Sequence, residues 1–121
     1  MIRPFISILL TLPFLFGPTA KPKPVWADEF NYSGVPDDSK WTYQLGNGCP
    51  DLCGWGNNEI QHYTNDPQNV RVENGTMVIE AKKVGDRWTS ARVTSKGRKN
   101  FSHGRLEIRA KLPVGKGTWP A

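Results

Sequence analysis

The chain has 121 residues, of which 37% are hydrophobic, 22% charged and 11% aromatic, with 12 glycines and 10 prolines. This length leaves room for one domain, and the moderate charge with plentiful aromatic residues excludes a mainly disordered chain. The net charge of +5 is spread along the sequence without a long basic run, so we expect no nucleic-acid partner. The glycine and proline content is too high for a helical bundle and favours an all-β protein rich in turns.

The first segment, residues 1–20, has the features of a secretory signal peptide. Arg3 is its one charged residue, an apolar stretch follows over residues 5–16, and small residues lead to Ala20. A membrane anchor is the alternative, but the apolar stretch is shorter than the ~20 residues that a span needs, and Pro13 interrupts it. We therefore expect a secreted, extracellular protein without membrane attachment once the signal is removed after Ala20.

Cys49 and Cys53 are the only cysteines of the chain. In an oxidising compartment an even number of cysteines favours a disulfide. A zinc site is the alternative, but two thiolates without further nearby ligands are too few for a closed site. The sequence therefore predicts a disulfide, whose ring is so small that it shapes a loop more than it stabilises the fold.

Alternating apolar and polar residues predict several strands in the second half of the chain. Asn74-Gly75 is a strong hairpin signal, and Gly85-Asp86 marks a further turn. The clearest alternation places Leu106 and Ile108 on one face of the last strand. The predicted strands are residues 59–64, 69–73, 76–83, 88–93 and 104–112. An antiparallel sandwich fits these strands best, and five strands make an incomplete one, so the chain is expected to be the N-terminal part of a longer protein.

Residues 54–64 contain an unusual density of amide and carboxylate side chains beside aromatic rings. Amides match the paired hydroxyl groups of a sugar, and indole faces stack on its apolar C–H surface. The alternative is a loop whose polar groups bind its own backbone. The residue types alone leave these two interpretations open.

Five segments in order resemble glycoside hydrolase family 16, in its laminarinase-like β-1,3-glucanase branch and the related β-1,3-glucan-binding proteins. They are Trp26-Ala-Asp-Glu-Phe30, Gly54-Trp-Gly-Asn-Asn-Glu-Ile-Gln-His-Tyr-Thr64, Thr89-Ser-Ala-Arg92, Gly104-Arg-Leu-Glu-Ile-Arg-Ala-Lys-Leu-Pro113 and Gly117-Thr-Trp-Pro-Ala121. The resemblance implies a β-jelly-roll sandwich of two curved antiparallel sheets, incomplete in this chain. Residues 21–121 would form the N-terminal part of that domain.

The resemblance also implies the activity of a secreted endo-β-1,3-glucanase that retains the anomeric configuration. The alternative is a non-catalytic β-1,3-glucan-binding pattern-recognition protein of the same fold. Retaining hydrolysis needs two carboxyl groups about 5–5.5 Å apart, which the family supplies from a Glu-x-Asp-x-x-Glu strand. None of the eleven acidic residues has another acid two to five positions away. We therefore expect the catalytic residues downstream of Ala121 and predict that this chain alone is inactive.

The resemblance places Asn57, Arg92 and Trp119 in the glucan-binding cleft. The alternatives are loop capping for Asn57, a structural salt bridge for Arg92 and a core position for Trp119, whereas Trp55 is a weaker candidate. Glu59 is expected to be structural, because a lone carboxylate in a polar loop usually binds nearby backbone or arginine.

Many members of the family also hold a structural calcium ion, largely through backbone carbonyls. Glu29 and Gly75 match those places in this sequence. Oxygen ligands suit calcium. No cofactor is required for the implied chemistry, and the full-length protein is expected to be a monomer with β-glucan polysaccharide as its partner.

Overall fold

The computed structural model describes residues 22–118, so the predicted signal peptide and Trp119 lie outside the described residues. The described residues form short β-strands and one 3-10 segment, Cys53–Gly56. The strands are β1 (Thr42–Tyr43), β2 (His62–Tyr63), β3 (Val70–Glu73), β4 (Thr76–Ile79), β5 (Lys82–Val84), β6 (Arg87–Ser90) and β7 (Val93–Thr94). Within residues 22–118, no helix has the length and apolar character needed to cross a membrane.

These strands form three small sheets. β1 pairs with β7 in antiparallel register, and β3 pairs with β4 in the same way. The third sheet has the order β2-β6-β5, in which β2 and β6 are parallel and β5 and β6 antiparallel. Two isolated bridges, Gly34 with Val72 and Gly46 with Tyr63, tie the long connecting segments to these sheets.

The β3–β4 hairpin follows the prediction from Asn74-Gly75. Val70 faces Ile79 and Val72 faces Met77, so the four apolar side chains lie on one face. Asn74 has a φ of 52° and Gly75 a φ of 70°, the left-handed conformation that a two-residue hairpin turn requires. Glycine reaches this conformation without strain, which explains why the turn lies at this dipeptide.

The core is small and is formed by residues of β3, of the segment after β6 and of the segment before β1. Val70, Val72 and Ala91 are buried, at 0%, 1% and 7% exposure, and Pro36 is buried as well. Asn69 is buried beside them. Its amide nitrogen donates to the Glu80 carbonyl at 3.0 Å and to the Thr89 hydroxyl at 3.1 Å.

Asn69 also accepts a hydrogen bond of 2.7 Å from the Thr64 hydroxyl. Thr64 directly follows β2 and Thr89 lies in β6, whereas Asn69 directly precedes β3. This one buried amide therefore links the hairpin to the three-stranded sheet. Because its donors and acceptor are all satisfied, its burial carries no unpaired-group penalty.

A second cluster, of aromatic rings, anchors the N-terminal part of the described chain. Trp26 meets Trp41 edge-on at 5.2 Å between ring centroids, and it meets Phe101 at 5.8 Å. Phe30 stacks on Trp41 at 6.3 Å. Such offset and edge-on pairs stabilise a fold beyond the area they bury.

The predicted strand over residues 104–112 is wrong for the described structure, which assigns no strand there. Leu106, Ile108 and Leu112 are 72%, 76% and 62% exposed. Alternation identifies an apolar face, but a strand forms only when a neighbouring strand supplies hydrogen-bond partners for its backbone. No residue between 22 and 118 makes such a backbone hydrogen bond to this segment.

The other predicted strands are present but shorter than predicted. The predicted strand over residues 76–83 is divided into β4 and β5, and the one over residues 88–93 into β6 and β7. Residues 59–64 contribute only β2, and the segment before it is mostly loop, as predicted. The Glu80 amide still donates to the Asn69 carbonyl at 2.8 Å, so the hairpin pairing extends to Glu80 and the first division falls after it.

Candidate functional site

The register of β1 and β7 brings two distant polar residues together. Thr42 faces Thr94 and Tyr43 faces Val93, so the next residues along each chain, Gln44 and Arg92, are also opposite. The Gln44 amide donates to the Arg92 carbonyl at 3.0 Å, which continues the ladder. Directly opposite residues of an antiparallel pair project their side chains to the same face.

The guanidinium of Arg92 is held on several sides. Its Nε donates a hydrogen bond of 2.7 Å to Oε1 of Gln44, and its Nη1 lies 3.6 Å from a carboxylate oxygen of Glu59. Its central carbon lies 4.5 Å from the centre of the Trp55 ring and 5.8 Å from that of Tyr63. A cation over an indole face is attracted by the electrons of the ring. Arg92 is therefore fixed in position, although 38% of its side chain remains exposed.

Glu59, Gln61 and Tyr63 form a closed triangle of hydrogen bonds beside Arg92. The Tyr63 hydroxyl donates to Glu59 at 2.6 Å, and the Gln61 amide donates both to Glu59 at 2.9 Å and to the Tyr63 oxygen at 2.8 Å. Burial raises the pKa of the Tyr63 phenol above 10, and the bond to the Glu59 carboxylate raises it further. The phenol thus stays protonated near neutral pH and continues to donate to Glu59.

The loop before β2 places Trp55 and Glu59 against Arg92. Cys49 and Cys53 form a disulfide bond in this loop. The Gly54 amide donates to the Asn47 carbonyl at 2.8 Å, and the Leu52 amide donates to the Gly48 carbonyl at 2.7 Å. A Cβ at Gly48 would lie 2.1 Å from the Leu52 carbonyl oxygen, so only glycine fits there.

Trp55 itself has a left-handed backbone, with a φ of 51°. A bulky residue rarely adopts this conformation, and it persists only where surrounding contacts hold it. Here the Trp55 ring meets the Tyr63 ring at 5.9 Å, and its Nε1 donates to the Gly46 carbonyl at 3.4 Å. The strained backbone is thus held by contacts that keep the indole under Arg92.

The structure brings together some of the residues predicted from the sequence. Arg92 lies in the cluster, between β6 and β7 rather than inside a strand. Asn57 is exposed at the end of the same loop, where its backbone amide donates to the Gly54 carbonyl at 2.9 Å. Trp55, the weaker candidate, makes the closest aromatic contact with Arg92. Trp119 lies outside the described residues.

Gln44 is a residue of the site that no sequence signal predicted. It is a single glutamine after a two-residue strand, and 48 positions separate it from Arg92. No local pattern marks such a residue. Only the strand register, which depends on long-range pairing, reveals that the two side chains are neighbours.

Glu29 and Gly75, the positions expected to bind calcium, are both exposed. No group of three or more His, Cys, Asp or Glu side chains between residues 22 and 118 is placed to hold a metal ion. Calcium at these positions would therefore have to bind backbone carbonyls, as the resemblance implies, and that stays a prediction.

Glu73 and Glu80 are two carboxylates that converge on one residue, Arg71. They lie 2.9 Å and 3.1 Å from its guanidinium nitrogens. The hydrogen bond from Arg71 holds the pKa of Glu73 below its ordinary value. The two exposed carboxylates thus form an ion network with Arg71 at the surface.

The chain is similar to several known proteins, although no family model matches it. The β-glucanase of Rhodothermus marinus is 48% identical over 101 residues, which cover 80% of this chain and 34% of that protein. The chain therefore spans about a third of the length of this relative.

Solved structures show the same relationship. The laminarinase of Rhodothermus marinus superposes with a TM-score of 0.68 at 45% identity, over 77% of this chain and 37% of that one. A mutant of SCLam, a non-specific endo-β-1,3(4)-glucanase from family GH16, gives a TM-score of 0.56 at 40% identity, over 70% and 38% of the two chains. That mutant presents 1,3-β-D-cellobiosyl-glucose at its active site.

These similarities confirm the all-β prediction and the jelly-roll architecture, of which this chain covers only a part. They extend over 77–80% of this chain at 45–48% identity, well above the identity at which two proteins share only a fold. In sequence and in fold, the chain is thus similar to laminarinases of glycoside hydrolase family 16, of which it spans about a third.

Proposed function

We propose that the protein is an extracellular endo-β-1,3-glucanase and that the described residues form part of its glucan-binding cleft. The observation that carries the proposal is the similarity to laminarinases over about four-fifths of the chain. The predicted signal peptide at residues 1–20 supports secretion. Retention of configuration would follow from two carboxylates on a strand beyond Ala121.

The cluster around Arg92, together with the exposed Asn57 of the loop that carries Trp55, has the chemistry that a polyol ligand needs. A guanidinium supplies several donors in a fixed plane, the Asn57 amide supplies both a donor and acceptors, and an indole supplies an apolar face. Arg92 remains partly exposed and Asn57 is exposed, so both can be reached by a ligand. Contacts of this kind would bind and orient a sugar, without carrying out a proton transfer.

The second candidate function is glucan binding without hydrolysis. The observation that favours it is a relative whose name is that of a clotting factor and not of a glucanase. The clotting factor G alpha subunit of Tachypleus tridentatus is 40% identical over 98 residues, which cover 78% of this chain and 13% of that protein. The described residues would serve binding equally well in either case.

An assay on laminarin separates these two functions. We expect the protein expressed from its complete gene to release reducing ends from this β-1,3-glucan. Binding to laminarin without any release of reducing ends would support the second function and contradict the first. A protein that neither binds nor cleaves the polymer would contradict both.

A further inference from the structure

We infer that Gln44 is a positioning residue, which fixes the orientation of Arg92 for its contact with a β-glucan chain. The inference rests on the proposed function for the identity of the ligand. The contact between the two side chains, by contrast, is a feature of the fold. Gln44 itself belongs to no sequence motif of the site and has no site residue beside it in the sequence.

The position of Gln44 follows from the strand register. Because β1 and β7 pair through Thr42 with Thr94 and through Tyr43 with Val93, Gln44 and Arg92 are directly opposite. The backbone hydrogen bond of 3.0 Å from Gln44 to Arg92 holds this alignment one residue beyond the strands. The pairing of the backbone thus sets the separation of the two side chains.

The hydrogen bond between the side chains also fixes a direction. The Nε of arginine can only donate, so the amide oxygen of Gln44 must face it, and the 2.7 Å separation indicates a good bond. This bond sets the rotation of the guanidinium plane, which the Trp55 ring supports from 4.5 Å. A free arginine side chain loses rotamer entropy on binding, so a preformed orientation favours affinity.

The remaining nitrogen of Arg92 is the one left for a ligand. Nε binds Gln44, and Nη1 faces the Glu59 carboxylate at 3.6 Å. Among residues 22–118, Nη2 forms no hydrogen bond or ion pair, although the Arg92 guanidinium lies close enough to the Tyr63 hydroxyl to offset part of the rise in the pKa of that phenol. Since more than a third of the side chain is exposed, Nη2 can donate to a sugar hydroxyl while the other two nitrogens stay bound to protein.

A double-mutant cycle tests whether Gln44 acts through Arg92. The protein expressed from its complete gene is compared with Gln44→Leu, Arg92→Met and the double variant, for affinity toward a β-1,3-linked glucohexaose. We expect Gln44→Leu to weaken binding by roughly 3–10-fold, the range of one hydrogen bond. The double variant should bind as Arg92→Met does, since methionine has no donor for Gln44 to hold.

Two further variants at position 44 test whether an acceptor oxygen within reach of Nε is what matters. Gln44→Glu retains an acceptor oxygen and should bind within about 3-fold of the unaltered protein, since an acceptor for Nε remains. Gln44→Asn is one methylene shorter, so its oxygen cannot reach Nε, and it serves if Gln44→Leu does not fold. Gln68→Leu is the matched control, because Gln68 is exposed, and it should leave the affinity unchanged.

A readout without glucan separates this inference from the proposed function. In NMR spectra, the Nε–H resonance of Arg92 should be shifted and protected from exchange in the unaltered protein and in Gln44→Glu. It should lose both features in Gln44→Leu or Gln44→Asn. An unchanged Arg92 resonance in those two variants, or additive losses of affinity in the cycle, would overturn the inference. If the unaltered protein binds no β-1,3-glucan, the proposed function is contradicted. The Arg92 Nε–H resonance in the four proteins still shows whether Gln44 orients Arg92.

Discussion

The indole Nε1 of Trp41 donates a hydrogen bond of 2.7 Å to Oδ2 of Asp28, which places a carboxylate inside the N-terminal aromatic cluster. The Asp28 side chain is 2% exposed. It also accepts hydrogen bonds from the Phe30 amide and the Tyr32 hydroxyl, at 3.1 Å each, and lies 3.4 Å from Lys40. One buried carboxylate thus connects residues that are spread over thirteen positions of the sequence.

Asp28 should make the free energy of unfolding depend on pH in the acid range. Burial by itself raises the pKa of the Asp28 carboxyl, but the hydrogen bonds and Lys40 outweigh this effect and lower the pKa below 3.8. The carboxylate therefore stabilises the fold fully above pH 3.8, and this contribution is lost as the pH falls through the lowered pKa. Unfolding by urea as a function of pH measures the effect.

The Asp28→Asn variant should lose about 1–3 kcal/mol of stability at neutral pH, since buried donors lose a charged acceptor. Its stability should also vary less between pH 5 and the acid range. Asp38→Asn is the control, because Asp38 is exposed, and it should leave the profile unchanged. Identical acid profiles for Asp28→Asn and the unaltered protein would contradict this role.

Val72→Ala should destabilise the protein by roughly 1–3 kcal/mol, because it removes two buried methyl groups from the small core. Val72 is 1% exposed, whereas Val84 is 61% exposed. The matched change Val84→Ala should therefore cost less than about 0.5 kcal/mol, the range of ordinary surface changes. Denaturant titrations of both variants measure the difference, and equal losses would show that Val72 is not a core residue.

Tyr63→Phe should reduce stability by about 1 kcal/mol, since it removes the hydroxyl that bridges Gln61 and Glu59. Tyr43→Phe is its control, because the Tyr43 hydroxyl makes no hydrogen bond to another residue in the described part of the chain. Thermal melts of the two variants give the comparison. A loss for Tyr43→Phe as large as that for Tyr63→Phe would contradict a structural role of the triangle.

The Cys49–Cys53 disulfide should matter more for ligand binding than for stability. It closes a ring of few residues, so the entropic gain is about 2 kcal/mol or less. The same loop holds Trp55 in its left-handed conformation under Arg92. Replacement of both cysteines by serine should therefore weaken glucan binding several-fold with a small change in melting temperature. A large loss of stability with unaltered affinity would contradict this interpretation.

Local signals predicted the local features of the structure. Asn74-Gly75 was sufficient for the β3–β4 hairpin, because its turn geometry fixes which residues face each other. The alternation in residues 104–112 was not sufficient for a strand, because pairing depends on a neighbouring strand that the alternation does not specify. A strand forms only when two segments pair. Alternation in one segment predicts which of its side chains share an apolar face, but not whether the segment pairs.

The candidate site was predictable only where its residues are close together in the sequence. Trp55, Asn57 and Glu59 are close in sequence, so their density marked the loop. The role of Glu59 as a partner of Arg92 agrees with the expected structural role of a lone carboxylate. Gln44 could not be found in this way, because only the register of β1 and β7 places it beside Arg92.

The central claim, that the cluster around Arg92 binds β-glucan, is tested most directly by NMR. The protein expressed from its complete gene and labelled with ¹⁵N is titrated with a β-1,3-linked glucohexaose, and with an α-1,4-linked glucohexaose as the control. We expect saturable shifts of the Arg92 Nε–H, the Asn57 side-chain amide and the Trp55 indole N–H with the β-linked sugar only. Shifts confined to other parts of the protein, or equal shifts with both sugars, would contradict the claim.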